Sequence, residues 1–148
     1  MNASEPDFRL LVWGALETGA RYGELCRMVA GDFNPDAGTV HVLKSKSGRE
    51  PHIVLTEEGA AFFRDLTAGR PKDGFIFMRA SGEQWLAVHQ KRRMIDACKN
   101  GSITPRISFH GLRHTWASHA VMAGVPLMVV ARNLGHTSTK MVEKHYGH

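Results

Sequence analysis

FHGLRHTWASH, residues Phe109 to His119, is the stretch on which the reading of this chain turns. It opens a helix predicted from about His110 to Ala123, with Trp116, Val121 and Met122 assigned to the core and His110 and His114, four residues apart, on one face. His114 and His119 are read as surface positions. Downstream, a second helix begins with Pro126 in its first turn and stops at Gly135, and a third covers roughly Thr139 to Tyr146. His145 and His148 fall at its end. Upstream, Trp85, Val88, Ile95 and Cys98 mark a helix from about Glu83 to Asn100, with Gln90-Lys91-Arg92-Arg93 in its middle.

Further out, Phe8, Leu11, Val12, Ala15 and Leu16 recur at helical spacing until Thr18-Gly19 interrupts, and a short helical pattern resumes through Leu25, Met28 and Val29. Arg21 and Glu24 therefore stand just after a break. Thr39 to Leu43 alternates, with Val40 and Val42 answering Ile53 and Leu55 across Lys44-Ser45-Lys46-Ser47-Gly48, the pattern of a β-hairpin with a basic tip. Thr56 caps a helix with Glu57 and Glu58 in its first turn and Ala60, Phe63 and Leu66 on its buried face, ending near Gly69. Phe75-Ile76-Phe77 reads as a short third strand. The sum is a mainly helical α+β domain with one small antiparallel sheet.

The chain has 148 residues, 43% of them hydrophobic, enough for one real core and too many for a disordered chain. Nineteen Lys and Arg against 14 Asp and Glu leave a net charge of +5, which favours an anionic partner. Cys26 and Cys98 lie far apart without CxxC spacing, so neither a disulfide framework nor a cysteine zinc site is expected, and a reducing cytoplasmic setting fits. No apolar run reaches the length needed to span a bilayer.

The groups that could do chemistry are Arg21 and Glu24, Lys46 on the hairpin tip, the run from His110 to His114, Leu134-Gly135-His136, and Tyr146. Two arginines, a lysine, histidines and a tyrosine suit phosphoryl transfer to the tyrosine. Planar guanidiniums donate paired hydrogen bonds to the charged oxygens of a phosphorane, and a lysine can protonate the leaving alkoxide. A phenol with a pKa of about 10 needs a nearby base or a cationic pocket to attack at neutral pH, and histidine can assist. The spacing of His110 and His114 could also bind zinc, but Gly111 stands where a metalloprotease motif has its glutamate.

ETGARYGEL (Glu17–Leu25), KSKSGREPHIVL (Lys44–Leu55), FHGLRHTWASH, LGH (Leu134–His136) and the closing KHY (Lys144–Tyr146) resemble, in order, the catalytic domain of tyrosine recombinases, the phage integrase family. The resemblance implies that Arg21 and Arg113 hold the scissile phosphate and that Lys46 is the general acid for the leaving 5′ oxygen. Lys44 lies two residues away on the same turn as an alternative. Tyr146 would be the nucleophile of a 3′-phosphotyrosyl bond, His110 would assist proton transfer, and His136 would hold a non-bridging oxygen and pack on the nucleophile. Glu24 would support the site. It further implies no metal and no cofactor, with double-stranded DNA as partner. Lys91, Arg92 and Arg93 are read as a solvated or phosphate-facing stripe.

By the same resemblance, residues 1–148 are the catalytic domain alone, without the amino-terminal DNA-gripping domain or the carboxy-terminal tail. The full-length protein is expected to act as a homo-tetramer on DNA, in integration or excision of a mobile element, and the fragment to be a monomer. Tyr146 stands ten residues after His136, one more than usual in the family; Tyr22, the other tyrosine, directly follows Arg21. Two further readings remain, a type IB topoisomerase-like strand relaxer and a DNA-binding module that has lost catalysis.

Overall fold

Pro6 opens helix α1 (Pro6–Thr18) at a position where its missing N–H leaves no bond unmade, and Gly19 closes it. At φ 70° Gly19 adopts the left-handed turn that ends helices, its N–H donating to the carbonyl of Ala15. The chain passes through an extended Arg21 into α2 (Tyr22–Arg27). The computed structural model describes residues 5–43, 52–134 and 139–146. Helix α2 is shorter than its apolar pattern implies, for Met28 is already extended.

Strands β1 (Phe33–Asn34), β2 (Thr39–His41) and β3 (His52–Val54) form an antiparallel sheet in that order, with Phe33 and Ile53 flanking Val40 on its buried face. The alternation that predicted the hairpin thus gives its buried face, and the register sets Val40 opposite Ile53 with the Leu55 N–H on the Gly38 carbonyl; its basic tip lies outside the described residues. The hydroxyl of Thr56 accepts the Gly59 N–H at 3.0 Å and starts α3 (Glu57–Thr67), which buries Ala60, Phe62 and Phe63. The remaining helices are α4 (Gln90–Asn100), α5 (Phe109–Met122), α6 (Leu127–Asn133) and α7 (Lys140–Tyr146).

Three expectations are corrected. Phe75–Phe77 is not a strand: Phe75 makes one isolated bridge to Val29, while the Arg70 guanidinium takes the carbonyls of Phe75 and Ile76 at 2.5 and 2.9 Å, leaving no ladder to extend. The third strand is Phe33–Asn34. Helix α4 starts at Gln90 rather than near Glu83, because Gln84 bridges Met78 and Ala87–His89 forms a 3-10 turn in which the Leu86 N–H donates to the His89 ring. Met122, assigned to the core, is 83% exposed in the last turn of α5.

Two hydrophobic clusters result. The larger joins α1, α2, the sheet, α3, Trp85 and the start of α5, and is rich in aromatic contacts such as Phe8 on Trp85 and Phe109 and Tyr22 on Phe109. The smaller is aliphatic, built from Ala117, Val130, Ala131, Leu134 and Val142. Helix α5 runs through both, with Leu112 in the first and Ala117 in the second. Arg113 lies at the seam.

Candidate active site

Arg113 is a buried cation, only 6% exposed, and the fold provides for it. Its guanidinium donates from Nη1 to the Gly19 carbonyl at 2.8 Å and from Nη2 to the Leu134 carbonyl at 2.5 Å. Both carbonyls sit at helix carboxy-termini, after α1 and after α6, where unpaired carbonyls and the negative end of the helix dipole favour positive charge. One side chain thereby ties together the break before Arg21, helix α5 and the residue preceding Gly135-His136.

The same break is clamped by packing. A Cβ at Gly19 would lie 2.5 Å from Cε3 of Trp116, one helical turn beyond Arg113, so only glycine allows this approach. Glu24 is buried, and its carboxylate accepts the Arg21 backbone N–H at 2.7 Å, fixing the start of α2 while the Arg21 side chain stays exposed.

His110 stands in the first turn of α5, whose cap is the Ser108 hydroxyl accepting the Gly111 N–H at 3.2 Å. Its ring meets that of His114 edge-on at 5.2 Å. His110 is an exposed residue, but partial desolvation, and then the charges of His114, Arg113 and Arg21, hold its imidazole below its ordinary pKa. A lowered pKa favours the neutral imidazole, the form that can accept a proton. Among the described residues no group of three or more His, Cys, Asp or Glu side chains could hold a metal, so the His110/His114 pair lacks a third ligand there.

Tyr22 is buried against Phe109, and its hydroxyl donates to the Leu86 carbonyl at 2.6 Å. Burial and the neighbouring Cys26 raise this phenol far above its usual pKa, which disfavours the phenolate form. Tyr146 is the last residue of α7. Lys44, Lys46 and His136 lie outside the described residues.

The basic stripe divides. Arg92 pairs with Asp96 at 3.5 Å, and Arg93 lies 4.9 Å above the Trp85 ring and 3.9 Å from Glu5, which leaves Lys91 pointing its charge outward. Sequence reading missed Gly19 and Trp116 as partners. The signal was available, a glycine at a helix end in the first motif and an aromatic residue three positions after Arg113, but nothing local pairs them.

The model of the phage integrase family matches residues 2–148. The chain belongs to the phage integrase family. Among members of that family it is 30% identical over 132 residues to the tyrosine recombinase XerC of Corynebacterium glutamicum, covering 85% of this chain and 42% of that protein. It is 31% identical over 137 residues to XerD of Pseudomonas aeruginosa, covering 86% and 45%. The chain thus spans less than half the length of these relatives. The catalytic domain of bacteriophage HP1 integrase superposes with a TM-score of 0.70 at 26% identity, over 97% of this chain and 76% of that one. The XerA recombinase has the same fold, with a TM-score of 0.74 at 20% identity over 97% of this chain and 58% of that one. The expected phage-integrase architecture, a helical domain with a small antiparallel sheet, is the one observed.

Proposed function

We propose that this chain is the part of a site-specific DNA recombinase that cleaves and rejoins strands, and that it does so through a 3′-phosphotyrosyl bond at Tyr146. The observation that carries the reading is the Arg113 guanidinium, which ties the Arg21 segment and the Leu134 segment to the helix that begins beside His110. In the proposed step the Tyr146 phenol oxygen attacks the phosphorus while its proton passes to a base, for which neutral His110 is suited. The bond from phosphorus to the 5′ oxygen breaks, and Lys46 gives that oxygen its proton. Arg21, Arg113 and His136 stabilise the charge on the non-bridging oxygens, and Glu24 keeps Arg21 in place. The number of phosphodiester-type bonds is unchanged, so rejoining by a 5′ hydroxyl is the same step reversed and needs no metal or high-energy cofactor.

Relatives named as recombinases, and a Tn1549 transposon integrase solved with circular intermediate DNA (TM-score 0.77, 20% identity, 93% of this chain and 53% of that one), support double-stranded DNA as the partner. The full-length protein would act as a homo-tetramer on DNA in the cytoplasm, moving a mobile element in or out. The test is a nicked suicide duplex that traps the covalent intermediate. Tyr146→Phe should abolish attachment and Tyr22→Phe should retain it; attachment that survives Tyr146→Phe overturns the assignment, and none with the unaltered chain favours a binding module without catalysis. Attachment with relaxation of supercoiled DNA but no strand exchange between two sites, in the full-length protein, would favour the topoisomerase-like reading.

A further inference from the structure

Thr18 is the last residue of α1 and is fully buried, a polar side chain enclosed at the point where the helix breaks off. Its hydroxyl has one proton, which it donates to the Gly14 carbonyl at 2.7 Å. Toward the residues that follow it can then act only as an acceptor, and it takes the backbone N–H of Ala20 at 3.1 Å. Gly14 lies hard against the core, since a Cβ there would stand 2.6 Å from the Phe77 ring. The hydroxyl thus ties Ala20, itself buried, to a turn of α1 that cannot shift toward Phe77. Three successive residues before α2 are each held by a different side chain: Arg113 takes the Gly19 carbonyl, Thr18 the Ala20 N–H and Glu24 the Arg21 N–H.

We infer that Thr18 is a positioning residue for Arg21, its hydroxyl fixing the backbone from which the Arg21 guanidinium reaches the scissile phosphate. The inference rests on the phosphate role proposed above for Arg21, and adds a residue that neither touches the substrate nor carries a charge. A long exposed side chain has little packing to aim it, so its reach is decided by the backbone at its root. Glu24 fixes that root on one side and Thr18 on the other. A misplacement of about 1 Å at the reacting groups can cost on the order of 10²-fold in rate, so an uncharged buried hydroxyl has leverage on cleavage.

The experiment measures single-turnover attachment to a nicked suicide duplex, the duplex concentration that gives half the maximal rate, and a thermal melt of each protein. Thr18→Val keeps the shape and removes the hydroxyl, and Thr18→Ala is a second hydroxyl-free form without the branched side chain. Thr18→Ser restores the hydroxyl. The control is Thr67→Val, at a hydroxyl that donates to the Phe63 carbonyl at 2.9 Å at the end of α3, a helix that carries none of the proposed site residues. The rate at saturating duplex should fall by about 10- to 100-fold in Thr18→Val and Thr18→Ala with the half-saturating concentration unchanged, and Thr18→Ser should recover it. Thr67→Val should keep the unaltered rate. In an Arg21→Ala background, which leaves no guanidinium to aim, Thr18→Val should slow attachment no further. Undiminished rates in the hydroxyl-free variants, an equal loss in Thr67→Val, no recovery in Thr18→Ser, or losses that multiply in Thr18→Val/Arg21→Ala overturn the positioning role and leave the Arg21 reading standing. Loss of cooperative melting in both Thr18→Val and Thr18→Ala does the same. An undiminished rate in Arg21→Ala, or no attachment by the unaltered chain, overturns the phosphate reading and the inference with it.

Discussion

Arg113 and Gly19, 94 positions apart in the chain, are joined by a hydrogen bond of 2.8 Å from guanidinium to carbonyl. The residue proposed to hold the phosphate is therefore also the one that holds the break before Arg21, and the two arginines should respond differently to the same substitution. Arg113→Lys replaces a planar fork by one nitrogen that cannot meet both the Gly19 and Leu134 carbonyls, leaving a buried acceptor unpaired at about 1–3 kcal/mol. Arg21→Lys, at an exposed side chain, should stay within about 0.5 kcal/mol of the unaltered protein. Urea denaturation measures both. Both variants should lose on the order of 10²-fold in cleavage of a suicide duplex; equal stability losses would contradict the buried anchor.

His110 gives a pH dependence of definite sign. Its imidazole should titrate below 6.5 in an NMR pH series, and His114→Gln, which removes a neighbouring charge, should move the midpoint upward. The unfolded chain binds this proton more readily than the folded one. The contribution to stability is therefore complete above the ordinary histidine value and is lost as pH falls from there through the depressed value. The acid limb of cleavage should lie below that of an ordinary histidine and rise with His114→Gln. A midpoint above 6.5 would remove His110 from the role of proton acceptor.

Gly19→Ala tests the clamp on the same segment. The left-handed backbone costs an alanine about 1–2 kcal/mol, and a Cβ at 2.5 Å from the Trp116 ring adds about 1–3 kcal/mol of overpacking. Trp116→Leu in the alanine background should recover the second part only, so thermal melts of the four proteins should be non-additive. Additive losses would show that the ring does not confine the glycine.

What could be read from sequence was what local chemistry decides. The Thr56 cap, the glycine that ends α1, the alternation of Val40 and Val42 against Ile53 and Leu55, and the order of the motif residues are carried by neighbours in the chain. Phe75–Phe77 and Glu83–Val88 misled because distant groups decide them: Arg70 takes the carbonyls of the first, and Gln84 bridges Met78 in the second. Val88, counted as apolar periodicity, is 76% exposed. In the candidate site, the identity of Arg113 was legible and its partners were not, since it binds backbone carbonyls, which every residue has and no side-chain pattern marks.

The aliphatic cluster under α6 and α7 has a consequence of its own. Its fully buried members are small or medium aliphatic side chains, while the aromatic interlocking of the fold lies in the other cluster. Elements that rest on few buried contacts open as cooperative units at lower free energy than the rest of the molecule. On this principle the helix ending in Tyr146 should open apart from the segment carrying Arg21, with the bond from Arg113 to the Leu134 carbonyl between them, and hydrogen exchange would show it as weaker protection of α6 and α7 than of α1. The proposed nucleophile would then be carried by the part of the fold that opens at lower cost, apart from the aromatic cluster beside Arg21.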